Sequence, residues 1–215
     1  MEWRLLEGVP QEHVRELLKV ARRRRFSRNE VVFHRDDPGD SVHLVQQGRF
    51  AVRVMTPFGD LTTIAVRGPG ESFGEMALVA EEARRSATVA ALEGAETMAV
   101  YRDDFHAVRK RYPTVDGVLL RFLTNEVRML NERVLEALYV PVEKRVRRRL
   151  AELSALYGGE PPLIPLTQET IAELAGTTRP TVNQVLRDEE RRGTVELNRG
   201  SILVLDAGEL QRRGR

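Results

Sequence analysis

The sequence predicts an α+β protein in three parts: an N-terminal β-roll of the jelly-roll type, a long helix, and a C-terminal winged helix-turn-helix. Short apolar runs between closely spaced turn signals fill residues 31–101 and predict the roll. A heptad-spaced apolar seam over residues 120–137 predicts the helix, and two helical patterns followed by a hairpin pattern fill residues 167–205. We therefore expect domains at residues 1–112 and 141–215, joined by a helix and hinge at 113–140.

The composition favours a folded chain without thiol chemistry. Of 215 residues, 41% are hydrophobic and 31% are charged, which is typical of globular proteins. The chain has no cysteine, which excludes disulfides, thiolate zinc sites, iron-sulfur clusters and cysteine nucleophiles. The net charge is only +2, and residues 139–215 hold all of this excess, a weak indication of nucleic-acid binding. Neither a signal-peptide core nor a membrane-spanning run is present, so we expect a cytoplasmic protein.

The N-terminal half contains one short helix and then strands. Residues 10–21 predict a helix that opens at Pro10, and the basic run 22–25 is interpreted as solvated surface. The apolar runs VVF, VHLV, FAVRV, LTTIAV and ATVAAL are separated by the turns DDPGD, QQG, TPFGD and RGPGESFGE. Strands with turns this close together indicate a roll or barrel.

The segment from Gly74 to Ser86, GEMALVAEEARRS, carries the ligand chemistry of the predicted roll. Arg85 offers a planar fork of donors for two anionic oxygens, Ser86 adds a hydroxyl donor, and Glu75 can accept from a sugar hydroxyl. Gly74 lets the backbone come close to a ligand. The set suits a ribose and a phosphate; the alternative is a Glu75–Arg85 ion pair that only braces the roll.

A long helix is predicted to run from residue 114 to about residue 138. Its apolar seam has the 3, 4, 3, 4, 3 spacing of a two-stranded coiled coil and consists of Leu120, Leu123, Val127, Leu130, Val134 and Ala137. The seam predicts a homodimer, and the alternative is packing of the helix on its own domain. Pro141 interrupts the helix, which resumes to about Leu156.

The C-terminal segment predicts a helix-turn-helix followed by a wing. One helix is capped by Thr167 and ended by Gly176, a second runs from near Thr178 to about Arg192, and a hairpin follows. Such helix pairs are also ordinary packing units. Polar side chains that could contact phosphates and base edges make DNA binding the preferred interpretation. These candidates are Thr167, Gln168, Thr178, Arg179, Thr181, Asn183, Gln184, Arg187 and Arg199.

The Gly74-Glu75 and Arg85-Ser86 pairs are followed by the long helix and then by the winged helix-turn-helix. In this order of features the chain resembles the cyclic AMP receptor protein family of bacterial transcription regulators. The resemblance covers residues 5 to 208 or so, and the spacing of eleven residues from Gly74 to Arg85 recurs in the family. It implies that Glu75 holds the ribose 2'-hydroxyl of cyclic AMP, that Arg85 and Ser86 hold the cyclic phosphate, and that Gly74 and Met76 lie beside them. It also implies a homodimer that binds double-stranded DNA and works with RNA polymerase.

The chain departs from the family pattern at two places. Leu130 and Asn131 align with the Thr and Ser that contact adenine in the best-known members, which leaves the choice between cyclic AMP and cyclic GMP open. In the second helix of the pair Arg179 is kept, whereas Pro180 and Gln184 replace the other two base readers. Because proline cannot donate a hydrogen bond, we expect an operator that differs at one or two positions from the best-known site.

Two other functions are weighed against a nucleotide-controlled regulator. One is a regulator of the same fold that is active without ligand or responds to another effector. The other is a cupin-like metalloenzyme, whose barrel has a similar strand texture but needs a close histidine pair and a carboxylate. No His-x-His motif occurs, and we expect neither a metal nor an enzyme. The four histidines fall in separate predicted elements: His13, His34, His43 and His106.

Overall fold

The structure is a computed structural model that describes residues 2–79 and 83–215, without the side chains of residues 114 and 118. It divides into two compact units between Arg128 and Met129, inside the long helix. The helices are α1 (Gln11–Val20), α2 (Arg102–Arg111), α3 (Thr114–Tyr139), α4 (Val142–Tyr157), α5 (Gln168–Ala175), α6 (Arg179–Arg191) and α7 (Ala207–Gly214). The strands are β1 (Arg22–Phe26), β2 (Val31–Phe33), β3 (Ser41–Gln47), β4 (Phe50–Met55), β5 (Leu61–Arg67), β6 (Ser72–Phe73), β7 (Thr88–Ala91), β8 (Ala95–Tyr101), β9 (Leu163–Ile164), β10 (Val195–Asn198) and β11 (Ser201–Val204).

The first unit is a roll of two antiparallel four-stranded sheets, in the orders β1-β8-β3-β6 and β2-β7-β4-β5. Buried aromatic side chains fill its core: the Phe50 ring lies 5.6 Å from that of Phe26 and 4.9 Å from that of Phe73. Val45 and Val89 are buried with them. The predicted α+β class with an N-terminal β-roll is confirmed.

A second core joins the first helices to the roll. Trp3 is buried there, and its indole Nε1 donates to the carbonyl oxygen of Val45 across 2.9 Å. The start of α3 contributes buried Val115, and Leu119 and Phe122 pack against the same cluster. One face of α3 is therefore used by its own roll.

The second unit is built on α4, whose buried Val146, Leu150 and Leu153 pack under the helix pair α5 and α6. The hairpin β10–β11 pairs with β9 to form a small three-stranded sheet. The helices α4, α5 and α6 lie within one or two residues of their predicted positions. No helix among the residues that the structure describes is long and apolar enough to cross a membrane.

Six strands and α-helices of the described residues were not predicted: β1, β6, β8, β9, α2 and α7. The first strand carries four consecutive arginines and no apolar alternation, so it has no strand signal of its own. It is held by its neighbour, because Arg23 and Arg25 of β1 pair with Glu96 of β8. The last helix does have a signal, since the Asp206 side chain accepts from the Glu209 amide across 2.8 Å as an N-cap.

Candidate functional site

A cavity opens in the roll beside β6 and the 3-10 turn Glu75–Leu78. It measures about 480 Å³ when the space open to solvent is counted. All five ligand residues predicted in this unit line it, namely Gly74, Glu75, Met76, Arg85 and Ser86. Residues 80–82 of the same segment lie outside the described residues.

Gly74 is required by the position of Arg85. Its φ of +81° lies in the left-handed region, which favours glycine. A Cβ atom at this position would lie 2.6 Å from Arg85 Nη1 and 3.1 Å from the carbonyl oxygen of Ser41. The Gly74 and Arg85 of the motif are thus in direct contact, eleven residues apart in sequence.

Arg85 is buried and bonded to the roll itself. Its Nη1 donates to the carbonyl oxygen of Ser41 across 2.6 Å, and its Nη2 donates to Ser41 Oγ and Asp40 Oδ1, each across 3.1 Å. The guanidinium carbon lies 4.0 Å from the centre of the Phe33 ring. Arg85 therefore braces the roll, as the alternative expected, but the structure shows its ion pair with Asp40, and none with Glu75 among the described residues.

Two polar atoms at this cavity lack a hydrogen-bond partner in the described part of the chain. They are Nε of Arg85 and Oγ of Ser72, both buried, on residues that line the cavity. Buried polar groups are nearly always paired, so two unpaired ones on residues of one cavity favour a site for a polar ligand or an ordered water. Ser86 adds an exposed hydroxyl beside them. This donor set fits a phosphate, whose oxygens only accept hydrogen bonds from such groups.

Glu75 adds an acceptor at the same cavity. Partial burial raises the pKa of its carboxyl above the ordinary value of 4.5, and a hydrogen bond from its backbone and the charge of Arg67 act in the opposite direction. A carboxylate removed from water is stabilised by a hydrogen bond from a donor such as a sugar hydroxyl. The cavity therefore has donors for an anion and an acceptor for a hydroxyl.

His43 lies behind the cavity wall and has a structural role. Its ring stacks on Phe73 with centroids 5.0 Å apart, and Nδ1 lies 3.0 Å from Thr97 Oγ1. Burial lowers the pKa of His43 to about 3, so the ring is neutral near neutral pH. Within residues 2–79 and 83–215, no group of three or more metal-ligating side chains could hold a metal ion.

The predicted seam of α3 is an exposed apolar stripe in the single chain. Leu120, Val127, Leu130 and Val134 are each between 56% and 68% exposed, and Leu123 is half-buried. Because other α3 residues make the contacts with the roll, packing on its own domain does not account for this stripe. An exposed apolar stripe of this kind is typical of an interaction surface. Leu130 and Asn131 are both exposed in the second unit, and their contact with a base stays a prediction.

A guanidinium joins the end of α3 to the turn of the helix pair. Pro141 has no N–H, so the carbonyl of Ala137 lacks the donor that the next helical turn would supply. Arg145 Nη1 donates to this carbonyl across 2.9 Å, and its Nη2 donates to the carbonyl of Gly176 across 3.0 Å. Gly176, with φ +61°, is the left-handed residue that ends α5. Within the second unit, Arg145 thus ties the hinge to the helix-turn-helix.

The helix pair and the wing enclose a cleft that is lined by four of the predicted DNA contacts: Thr167, Gln168, Arg179 and Asn183. Thr167 Oγ1 caps α5 by accepting from the Thr170 amide across 3.1 Å. Asn198, Gly200 and Ser201 of the wing turn also line this cleft, and Arg199 beside them in sequence is exposed.

The other predicted DNA contacts lie along α6. Thr178, Gln184 and Arg187 are exposed and Thr181 is half-exposed. Arg187 pairs with Glu190 across 3.0 Å on the same helix. Pro180 lies in the first turn of α6, where its missing N–H is tolerated. The structure therefore presents one polar surface over the start of α6, the cap of α5 and the wing.

Comparisons with known proteins assign both units. Residues 23–112 match the family model described as "Cyclic nucleotide-binding domain", and residues 144–213 match the "Crp-like helix-turn-helix domain". The chain is a transcription regulator with a cyclic-nucleotide-binding domain and a DNA-binding helix-turn-helix, and not an enzyme. The metalloenzyme interpretation is thereby excluded.

Similarity extends over nearly the whole chain. The Cyclic AMP receptor protein of Thermus thermophilus is 35% identical over 96% of this chain and 94% of its own. The CRP-like cAMP-activated global transcriptional regulator of Mycobacterium tuberculosis is 28% identical over 98% and 96%. The solved structure of the Thermus thermophilus Catabolite Activator Protein matches with a TM-score of 0.57 and 31% identity over 98% of each chain. The chain belongs to the cyclic AMP receptor protein family, as the sequence motifs predicted.

Proposed function

We propose that this regulator is a homodimer whose affinity for DNA is controlled by cyclic AMP. One observation carries the proposal: one cavity is lined by Glu75, Arg85 and Ser86, and Arg85 Nε and Ser72 Oγ on its lining residues lack hydrogen-bond partners in the described part of the chain. The full-length similarity to a protein named Cyclic AMP receptor protein supports it.

The residues of the cavity divide the recognition of the nucleotide between them. When bound, cyclic AMP supplies a singly charged phosphate diester and a ribose 2'-hydroxyl. Arg85 and Ser86 would hold the phosphate, and Glu75 the hydroxyl. None of these groups reads the base, so preference between adenine and guanine depends on Asn131, which can both donate and accept, and on Leu130, which offers only apolar contact.

Control of DNA binding requires two states. Ligand shifts the equilibrium only if the DNA-competent state binds it more tightly than the other state does. The stripe on α3 would pair two copies, and Arg145 would transmit a change at the end of α3 to the helix pair. RNA polymerase as a partner and the cytoplasm as location belong to the same proposal, since they follow from a role in transcription.

A regulator that is active without ligand, or with another effector, is the alternative. It is favoured by the internal bonds of Arg85, whose guanidinium already contacts Ser41 and Asp40.

Calorimetric titration of the purified protein with cyclic AMP and cyclic GMP decides between the two. We expect heat of binding with cyclic AMP and weak discrimination against cyclic GMP. Ser86→Ala should weaken binding by about 1.5 to 3 kcal/mol, the cost of a hydrogen bond to a charged group. Ser27→Ala, at an exposed serine before β2, is the control and should change nothing. No heat with either nucleotide at millimolar concentration, from protein that still binds its operator, would establish the alternative.

A further inference from the structure

A fully buried carboxylate lies on the inward face of α6. Glu189 follows Val182, Val185 and Leu186 at helical spacing, and all four are buried. The other three make apolar contacts, whereas Glu189, with 0% exposure, places a charged group in the interior of the second unit. The outward face of the same helix carries the predicted DNA contacts.

Three other parts of the unit converge on this carboxylate. Arg147 Nε from α4 and Arg213 Nη1 from α7 each donate to Glu189 Oε1 across 2.7 Å. Thr194 lies between α6 and the wing strand β10. Its Oγ1 donates to Glu189 Oε2 across 2.8 Å, and its one proton is shared with the carbonyl oxygen of Glu189 at 2.9 Å. The same two arginines also pair with the neighbouring Asp188, at 3.6 Å and 3.5 Å. Glu189 thus joins α6 to α4, to α7 and to the base of the wing.

Stability alone does not explain such a network. Replacing buried ion pairs by well-packed apolar side chains of similar volume is often neutral or stabilising, because charges lose their hydration on burial. The network adds directional hydrogen bonds to the apolar contacts of α6. Apolar packing is non-directional, whereas hydrogen bonds lose strength steeply when they bend or lengthen.

These directional bonds matter because base recognition depends on the rotation of α6 about its own axis. A helix with its side chains is about 10–12 Å across, so a rotation of about 20° moves a side-chain tip at its rim by about 2 Å. A hydrogen bond between an arginine and a base edge requires heavy atoms about 2.7–3.2 Å apart. A shift of about 2 Å moves them out of this range. Three bonds from three sides to one carboxylate oppose this rotation.

We infer, given the proposed role of α6 in reading DNA, that Glu189 is a positioning residue that fixes the rotation of this helix. Through Arg213 it makes the C-terminal helix α7 part of the DNA-reading apparatus, although α7 supplies no predicted DNA contact. Arg147, Glu189, Thr194 and Arg213 set specificity through the orientation of α6. Phosphate contacts, which carry non-specific affinity, depend much less on that orientation.

The test is the ratio of affinities for an operator and for random-sequence duplex DNA. The operator is selected with the full-length wild-type protein from random duplexes, and both affinities are measured over a range of salt concentrations. Glu189→Gln keeps the shape but leaves the two guanidinium groups with only the more distant Asp188 as a countercharge. We expect its ratio to fall about ten- to a hundredfold, the effect of misreading one base pair, with non-specific affinity and its salt dependence unchanged.

Three further variants keep the result interpretable. Arg213→Met should lower the ratio, whereas Arg212→Met should not, because Arg212 is exposed and pairs only with Glu209 of its own helix in the described contacts. If Glu189→Gln does not fold, the apolar triple variant Arg147→Met, Glu189→Leu, Arg213→Leu replaces it, and should fold yet still discriminate poorly. The thermal unfolding of each variant is followed by circular dichroism, and its DNA binding is measured well below its unfolding midpoint temperature.

A wild-type ratio in folded Glu189→Gln or in the triple variant would overturn the positioning role and leave the network structural. Arg179→Ala separates this failure from a failure of the proposed DNA surface. If Arg179→Ala lowers the ratio and the Glu189 variants do not, only the inference about Glu189 is wrong. If Arg179→Ala also keeps the ratio, α6 does not read DNA, and both the inference about Glu189 and the proposed DNA surface are wrong.

Discussion

Arg85 and Asp40 form an ion pair, with Nη2 of the arginine 3.1 Å from Oδ1 of the aspartate, and the two ends differ sharply in exposure. The Arg85 side chain is 5% exposed and the Asp40 side chain 66%. Burial lowers the pKa of Arg85, while the charge of Asp40 opposes that shift. A carboxylate so exposed contributes little to the pair and can exchange with another anion, whereas Arg85 is held in place by Ser41 and Phe33.

Asp40→Asn should therefore strengthen the binding of cyclic AMP. The variant removes the anion that competes with a phosphate for Arg85. Because the Asp40 carboxylate is exposed, the pair is worth about 0.2 to 1 kcal/mol, so we expect a gain of up to about fivefold in affinity. Calorimetric titration measures it, with Asp60→Asn at the exposed β4–β5 turn as the control. Weaker binding of cyclic AMP to the Asp40→Asn variant would mean that Asp40 orients Arg85 for the ligand instead of competing with the ligand.

The apolar stripe on α3 should hold two copies together. Val127→Glu with Val134→Glu changes two exposed positions, so the fold of the single chain should survive while charges are forced into the pairing surface. Light scattering should show a change from two chains to one. Asn125→Glu, an exposed position that lies off the seam, should leave the dimer intact. An unchanged mass in the double variant would remove α3 as the dimer helix.

Arg179 should read a base at the start of α6. Arg179→Ala should cost about 1 to 3 kcal/mol of specific binding and relax the preference at one position of each half-site. The half-sites should lie about 10 bp apart, centre to centre, because they mirror the dyad of a dimer. Selection from random duplexes measures both properties, with Arg191→Ala at the far end of α6 as the control. Undiminished selectivity would show that Arg179 does not contact a base.

Glu75 should reduce the stability of the ligand-free protein at neutral pH. Because burial raises its pKa above 4.5, the folded state holds the proton more tightly than the unfolded state does. The contribution of Glu75 to stability is then full below 4.5 and is lost as pH rises through the raised value. Glu75→Gln should unfold at a higher temperature than the wild type near pH 7, with a difference that shrinks as pH falls below the ordinary value of 4.5, where Glu75 becomes protonated in both states.

Thermal unfolding followed by circular dichroism over this pH range measures the effect. Glu7→Gln, at an exposed position, is the matched control. A wild type that is as stable as Glu75→Gln near pH 7 would mean that the carboxylate is not destabilised by burial. The same variant should also bind cyclic AMP more weakly, since an amide is a poorer acceptor for a ribose hydroxyl than a carboxylate is.

Much of the fold could be predicted because local signals agree with it. The caps at Thr167 and Gly176 and the break at Pro141 depend on the chemistry of single residues, and the structure has them where they were predicted. The first strand could not be predicted in this way. Arg23 and Arg25 are held in β1 by Glu96, more than 70 residues later, and no local pattern reports such a partner.

The cavity residues could be predicted as a set, but not what they contact. Gly74, Glu75, Arg85 and Ser86 stand out by residue type and spacing, and the structure places them at one cavity. The bonds from Arg85 to Ser41 depend on how the strands pair, 44 residues away in sequence. Glu189 continues the helical spacing of Val182, Val185 and Leu186, but it was missed because the acidic and basic residues beside it suggest an exposed helix end.

The central claim is that cyclic AMP controls DNA affinity, and the most direct test is the affinity of the wild-type protein for its selected operator with and without saturating cyclic AMP. The two dissociation constants are measured at one fixed salt concentration, since binding to DNA depends strongly on salt. We predict tighter binding with cyclic AMP by a factor of about 5 to 150, the usual range of coupling between two sites. Equal dissociation constants with and without the nucleotide would contradict the claim.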